Sequence, residues 1–335
     1  MGDAHKNMQA MMLSAAGFSL YSVGDAFIKM GGAHYPPEKI AFFINMFFLP
    51  IILLLSKRVG GLKATLQTRH LKLHLLRALF GMVVFFCMTT GFVKLGMAMS
   101  YTLIFSGPFI VSILSIFFLG EKIGIHRWAS IIGGFIGVLV VLRPGVVPLE
   151  PAAIGIVIAA FCYAGSTVIV RKIGEGEPLL AFSLYSQIVS SSLFGLMITL
   201  KGEWSLPAPE HLLLFAGTAC FHVFANFSVS RAFQSAETSV AAPFQYVQLL
   251  WGVLFGLLLF NQGIDVWTGV GGAIIVGSGI YMIHREHVRR REITTGVVAH
   301  GGAIEDTGLN IEIVKQEENL TEALNHDISA QRRHG

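Results

Sequence analysis

The stretch FSLYSVGDAFIK, Phe18 to Lys29, sets an aspartate inside an apolar run. A buried carboxylate is costly in any interior, and more so in lipid. Asp25 therefore either argues against a membrane helix here or has a role inside one. The composition of the whole chain decides between these.

Of the 335 residues, 53% are hydrophobic and only 13% are charged. The mean hydropathy is +0.66. Soluble domains carry about 25% charged residues, so this chain cannot cover a globular core with a polar surface. Its apolar residues fall in long runs, the pattern of a polytopic membrane protein. The net charge of +4 then reads as basic loops, not as a nucleic-acid partner. Cys87, Cys162 and Cys220 all lie inside apolar runs, and their spacing suggests neither a disulfide framework nor a metal site. The first apolar run is long enough to span and similar runs follow it, so it is expected to stay in place as a helix.

Ten runs are long enough to cross a bilayer: about 9–29, 40–56, 76–94, 99–119, 126–142, 152–170, 179–200, 210–230, 238–260 and 266–284. If the N-terminus is cytoplasmic, sixteen Lys and Arg residues of the span and loop region fall on the cytoplasmic side and five on the other. The bias predicts both termini inside, in the inner (plasma) membrane. Residues 286–335 are polar and largely unperiodic, and are expected to form a disordered cytoplasmic tail.

A repeat gives Asp25 a context. Setting FSLYSVGDAFIK (18–29) against AFCYAGSTVIVR (160–171) pairs Tyr21 with Tyr163 and Lys29 with Arg171 at an offset of 142. FFLGEKIGIHRW and LLFNQGIDVWTG pair Glu121 with Gln262 and Ile123 with Ile264 at an offset of 141. Two distant anchors agree within one residue. The chain divides into a first five-helix half (1–145), a second (146–285) and the tail (286–335). Five is odd, so the second half must be inverted in the membrane. Such repeats are typical of secondary transporters, whose sites lie at the midplane between them.

The ten spans, the paired halves and the segments GPFIVSILSIFFLGEKIGIHRWASIIGGFIGVLVVLRPG and APFQYVQLLWGVLFGLLLFNQGIDVW resemble the drug/metabolite transporter superfamily, EamA type. The resemblance covers about residues 10–284. It implies an all-α bundle of two inverted five-helix repeats around a central cavity, open alternately to each side. Gln262 departs from the acidic residue that such proteins often carry there. The resemblance fixes no substrate: members export amino acids and toxic compounds or import riboflavin, S-adenosylmethionine and similar metabolites.

Asp25 has two readings. It pairs with Lys29, one turn away in the favourable acid-before-base order, or it faces the cavity and takes a proton or a cationic group. Its repeat mate is Thr167, so the carboxylate belongs to one half only. Other polar residues inside spans are Tyr21, Tyr163, His222, Asn226, Gln245, Tyr246, Gln248 and Trp251. Gln245, Gln248 and Trp251 are three apart and share a helix face. That face suits a ligand with a π-surface and hydrogen-bonding edges, or else it is a structural amide ladder between helices. Tyr21 and Tyr163 sit at matching depths and could close the cavity from both halves. The pairs Gly133/Gly137 and Gly252/Gly256 read as close helix contacts, and leave a homodimer seam open.

No cofactor or metal is expected. Walker, HExxH and GxSxG motifs are missing, and HREH (284–287) lacks a third ligand. The predicted function is secondary, not ATP-driven, transport of a small metabolite, amino-acid-like or an amphipathic heterocycle. Coupling would be to a proton or a counter-substrate. The competing reading, a membrane enzyme or sensor signalling through the tail, needs a reactive cluster at one interface, and the loops offer only scattered His and Glu.

Overall fold

The structure, a computed structural model, describes residues 2–56, 68, 70–120, 124–173, 179–235 and 241–305. Among them are ten helical segments long and apolar enough to span a membrane, the first Lys6–Gly32 and the last Val266–Arg285. They match the ten expected runs. The protein is an all-α, multi-pass membrane protein. Met1–Ile283 form one compact unit, and His284–Gly335 a second. The last helix is Val266–Glu305, so 286–305 is helical where a tail without regular structure was expected. Residues 306–335 lie outside the described residues, as does Glu121.

Proline and glycine set the segment ends. The second helix begins at Pro37, the sixth span at Pro151 and the eighth at Pro209, positions where a missing N–H costs nothing. The fourth span closes at Gly120 (φ 69°) and the ninth at Asn261 (φ 50°), both left-handed. Each cap N–H reaches back five residues, Gly120 to Ser115 and Asn261 to Gly256. These positions correspond at the 141-residue offset, so the two halves end the span with the same device.

Neither of these spans is one plain helix. The fourth is Met97–Ile104 followed by Gly107–Leu119, broken just before Pro108. The ninth begins as a 3-10 turn, Ala242–Tyr246, around Pro243 and continues as Val247–Phe260. Proline removes a backbone donor and clashes with the preceding turn, which accounts for both interruptions.

The halves pack through matched pairs. The first span lies along the eighth and the third along the sixth; the first meets the ninth and the fourth meets the sixth; the second meets the eighth and the third meets the seventh. Exchanging the halves turns each of these contacts into its companion. The second and seventh spans, and the fourth and ninth, pair across the exchange. On the first helix, Gly17, Gly24 and Gly31 recur every seven residues and receive Val229, His222 and Phe215 of the eighth span. Small residues at helical spacing let backbones approach closely where lipid supplies no hydrophobic drive between helices.

The GxxxG pairs serve the same purpose inside one chain. A Cβ on Gly137 would stand 2.9 Å from the Gly271 carbonyl oxygen and 2.6 Å from Ile275 of the tenth span. One on Gly252 would stand 2.6 Å from the Tyr101 ring. The main core draws on both halves, with Phe92, Tyr101, Phe109 and Phe215 almost fully enclosed. Large apolar residues such as Phe117 and Leu213 are exposed, as a lipid-facing surface requires.

Candidate functional site

Asp25 lies on the first span next to Gly24, whose bare Cα admits a ring. A Cβ at Gly24 would sit 2.5 Å from Cδ2 of His222, so only glycine lets the imidazole come this close. His222 Nε2 then stands 3.4 Å from Asp25 Oδ1, within ion-pair range. The other oxygen, Oδ2, accepts a 2.7 Å hydrogen bond from the Tyr101 hydroxyl of the fourth span. The carboxylate is thus held by two halves at once, through Tyr101 of the first and His222 of the second. Asp25 keeps 16% of its side-chain surface open and His222 keeps 18%.

Lys29 is not the partner of Asp25. Its ammonium hydrogen-bonds the side-chain oxygen of Gln262 and lies 4.2 Å from the centre of the Phe260 ring. The i,i+4 ion pair that the spacing allowed is replaced by two long-range contacts, because Tyr101 and His222 reach Asp25 first.

Further aromatic contacts extend from this cluster. Tyr21 meets His222 edge-on at 5.3 Å and Phe18 at 6.3 Å. Trp251 donates from Nε1 to Ser19 Oγ at 2.7 Å and stacks on Phe255 at 5.1 Å. The indole is therefore fixed on the ninth span against the first, one turn and a half below Asp25. A row of rings runs from Phe92 through Tyr101 and Phe105 to Tyr246, with centroids 5.4, 6.1 and 5.2 Å apart.

The expected site residues divide into two groups. Asp25, His222 and Tyr21 come together between the first and eighth spans, while Asn226 lies one turn further along the eighth and Tyr163 on the sixth. Asn226 is exposed and accepts a hydrogen bond from Ser230. Tyr163 lies against Gly107 and stays 44% exposed. Trp251 joins the group through Ser19. Gln248, half-buried, makes no hydrogen bond with another described residue, whereas Gln245 lies in the 3-10 turn. Tyr246 turns the other way: it is 7% exposed, its hydroxyl occupies the space above Gly279 of the tenth span, and its ring packs on Phe105. Its direct neighbours belong to the core, not to the Asp25 cluster.

Sequence reasoning missed Tyr101, Ser19 and Gly24. Tyr101 stands in MAMSYTLIFSGP, a tyrosine in the half-helix before a proline break, and that placement was the available signal. Among the described residues no group of three or more His, Cys, Asp or Glu could hold a metal ion.

A partly buried carboxylate is thus shared between helices of both matched halves inside a ten-span bundle. The chain belongs to the EamA-like transporter family, whose model matches it twice, at residues 8–143 and 150–284. Small-metabolite secondary transport is accordingly its general activity. An S-adenosylmethionine uptake transporter of Rickettsia conorii is 30% identical over 268 residues, covering 79% of this chain and 89% of that protein. A riboflavin transporter of Rhizobium johnstonii is 24% identical over 286 residues, covering 84% and 92%. A solved crystal structure shares the fold with a TM-score of 0.59 at 16% identity, over 84% of this chain and 98% of its own.

Proposed function

We propose that this protein is an inner-membrane transporter for an organic cation or zwitterion bearing an aromatic heterocycle, a molecule of the S-adenosylmethionine kind, and that it works by alternating access between two inverted halves. The observation that carries this is the Asp25 carboxylate, held by Tyr101 and His222, with Tyr21 packed on His222 and Trp251 bonded to Ser19 of the same helix. A carboxylate in a low-dielectric cavity recognises a cation, and exposed ring faces take both cations and flat heterocycles. Riboflavin, which lacks a cationic group, uses the rings but has no need of Asp25, so the carboxylate favours the first class. No ATP site is invoked; a proton or a counter-substrate drives accumulation, with Asp25 as the group that exchanges a proton for substrate. The protein acts as a carrier and forms no covalent intermediate.

Reconstituted in liposomes without ATP, it is expected to take up labelled S-adenosylmethionine faster than empty liposomes, and to exchange it for unlabelled substrate preloaded inside. No uptake of S-adenosylmethionine above the empty-liposome rate, whether or not riboflavin enters, would count against this assignment.

The same reading places both ends of the chain on the cytoplasmic side, because the charge bias requires it. Reporter fusions after Arg58 and after Lys201 are expected on opposite sides of the membrane, cytoplasmic and external respectively. Signals from the same side would rule out the ten-span orientation.

A further inference from the structure

Lys29 is a second charged group that transport through Asp25 leaves unused. It is 6% exposed, and a buried ammonium is retained only where something offsets its desolvation. Among the described residues no carboxylate lies within ion-pair distance of it. Its partners are neutral: the Gln262 amide oxygen and the Phe260 ring. An ammonium has three N–H donors, and one hydrogen bond is made.

Gln262 also borders a cavity of about 100 Å³ between the start of the fourth span, with Gly96, Met97 and Ala98, and the end of the ninth, with Gly256. Asp265 is the acidic group on its wall, and it is already engaged, by Arg143 at 3.3 Å and by the Thr268 N–H at 3.3 Å. Gly96 has φ +89°, and a Cβ there would stand 3.0 Å from the Gln262 oxygen. The amide is therefore wedged between Lys29 and this backbone turn. Displacing it would open the ammonium to the cavity.

We infer that Lys29 binds the carboxylate of an amino-acid-type substrate, which takes the place of the Gln262 amide oxygen while Asp25 holds the substrate's cationic group. Residues four apart on a helix are neighbours on its surface, so Asp25 and Lys29 share one side of the first span, Asp25 bonded by Tyr101 and Lys29 bonded to Gln262. A zwitterion bridging them satisfies two poorly solvated opposite charges with one ligand. The neutral amide is what permits this: a glutamate at 262 would occupy Lys29 permanently with a charge-assisted bond.

The inference rests on the transport of S-adenosylmethionine-like molecules, and the test separates the two. Three labelled probes are compared in liposomes: S-adenosylmethionine, its decarboxylated analogue and riboflavin. The wild type is expected to prefer S-adenosylmethionine over the decarboxylated form by about tenfold or more, as for one charged hydrogen bond. Lys29→Gln should abolish that preference with little effect on the decarboxylated probe, and Lys29→Arg should restore part of it. Gln262→Glu, which keeps Lys29 and supplies a competing carboxylate, should weaken S-adenosylmethionine uptake selectively; it also covers the case in which Lys29→Gln fails to accumulate in the membrane. Equal wild-type uptake of the two sulfonium probes, or a preference that survives Lys29→Gln, overturns the role of Lys29 and leaves transport standing. Uptake of riboflavin alone removes the substrate class on which the inference rests and leaves only transport as such standing. Uptake of none of the three removes the transport assignment, and this inference falls with it.

Discussion

Asp25→Asn is expected to lose concentrative uptake of a cationic substrate while the protein still reaches the membrane in normal amount. The replacement keeps the shape and can still accept the hydrogen bond that Tyr101 donates to the carboxylate at 2.7 Å. What it removes is the charge. A hydrogen bond to a charged group contributes about 1.5–3 kcal/mol, so apparent affinity should fall about 10- to 100-fold. Tyr101→Phe leaves the charge and should cost less. Because Lys29 is tied to Gln262 and not to Asp25, adding Lys29→Gln to Asp25→Asn should restore nothing. Initial rates against substrate concentration, with and without a proton gradient, measure this. Normal gradient-driven uptake by Asp25→Asn would remove Asp25 from the mechanism.

The second large effect is structural. Gly137→Val should destabilise the protein by about 1–3 kcal/mol or more, the range for overpacking a tight interior. The obstacle is backbone, the Gly271 carbonyl oxygen 2.9 Å from the added Cβ, and it has a mirror in Gly271, whose own Cβ would stand 2.7 Å from the Gly137 oxygen. Neither side can rotate away, so the fifth and tenth spans must separate. Gly277→Ala is the control, since a Cβ there meets nothing within 4 Å. Melting temperatures of the detergent-purified proteins should fall for Gly137→Val and stay unchanged for Gly277→Ala. Equal melting of the two would mean that the fifth and tenth spans do not pack through this glycine.

Much of the fold could be read from the chain because lipid imposes a coarse rule: every spanning segment must satisfy its own backbone and be apolar for about 20 residues. The ten runs followed from that; the 141-residue offset, read from two matched segments, reappears in the caps at Gly120 and Asn261. The breaks before Pro108 and at Pro243 were harder to place, since a proline in a membrane helix can kink, break or simply begin a turn.

The site was less legible for a physical reason. Local spacing says which residues are neighbours along one helix, and it paired Asp25 with Lys29. Long-range contacts decide which neighbours win, and those belong to Tyr101, His222 and Gln262, between 76 and 233 residues away in sequence. Gly24 shows the same limit. Its meaning lies in the imidazole that fills the space above it, and nothing in FSLYSVGDAFIK names that ring. Tyr246 shows it from the other direction: it stands among plausible ligand-binding side chains in the sequence, and its hydroxyl lies over Gly279 in the fold.

The central claim is that one site between the halves opens to each side in turn. Gln248, half-buried on the ninth span and free of hydrogen bonds to other described residues, is the place to test it. In a variant with Cys87, Cys162 and Cys220 replaced by alanine and Gln248→Cys introduced, a membrane-impermeant thiol reagent is applied to right-side-out and to inverted vesicles. Labelling from both sides, slowed in each case by S-adenosylmethionine, is the predicted result. Labelling from one side only, with or without substrate, would contradict alternating access through this site.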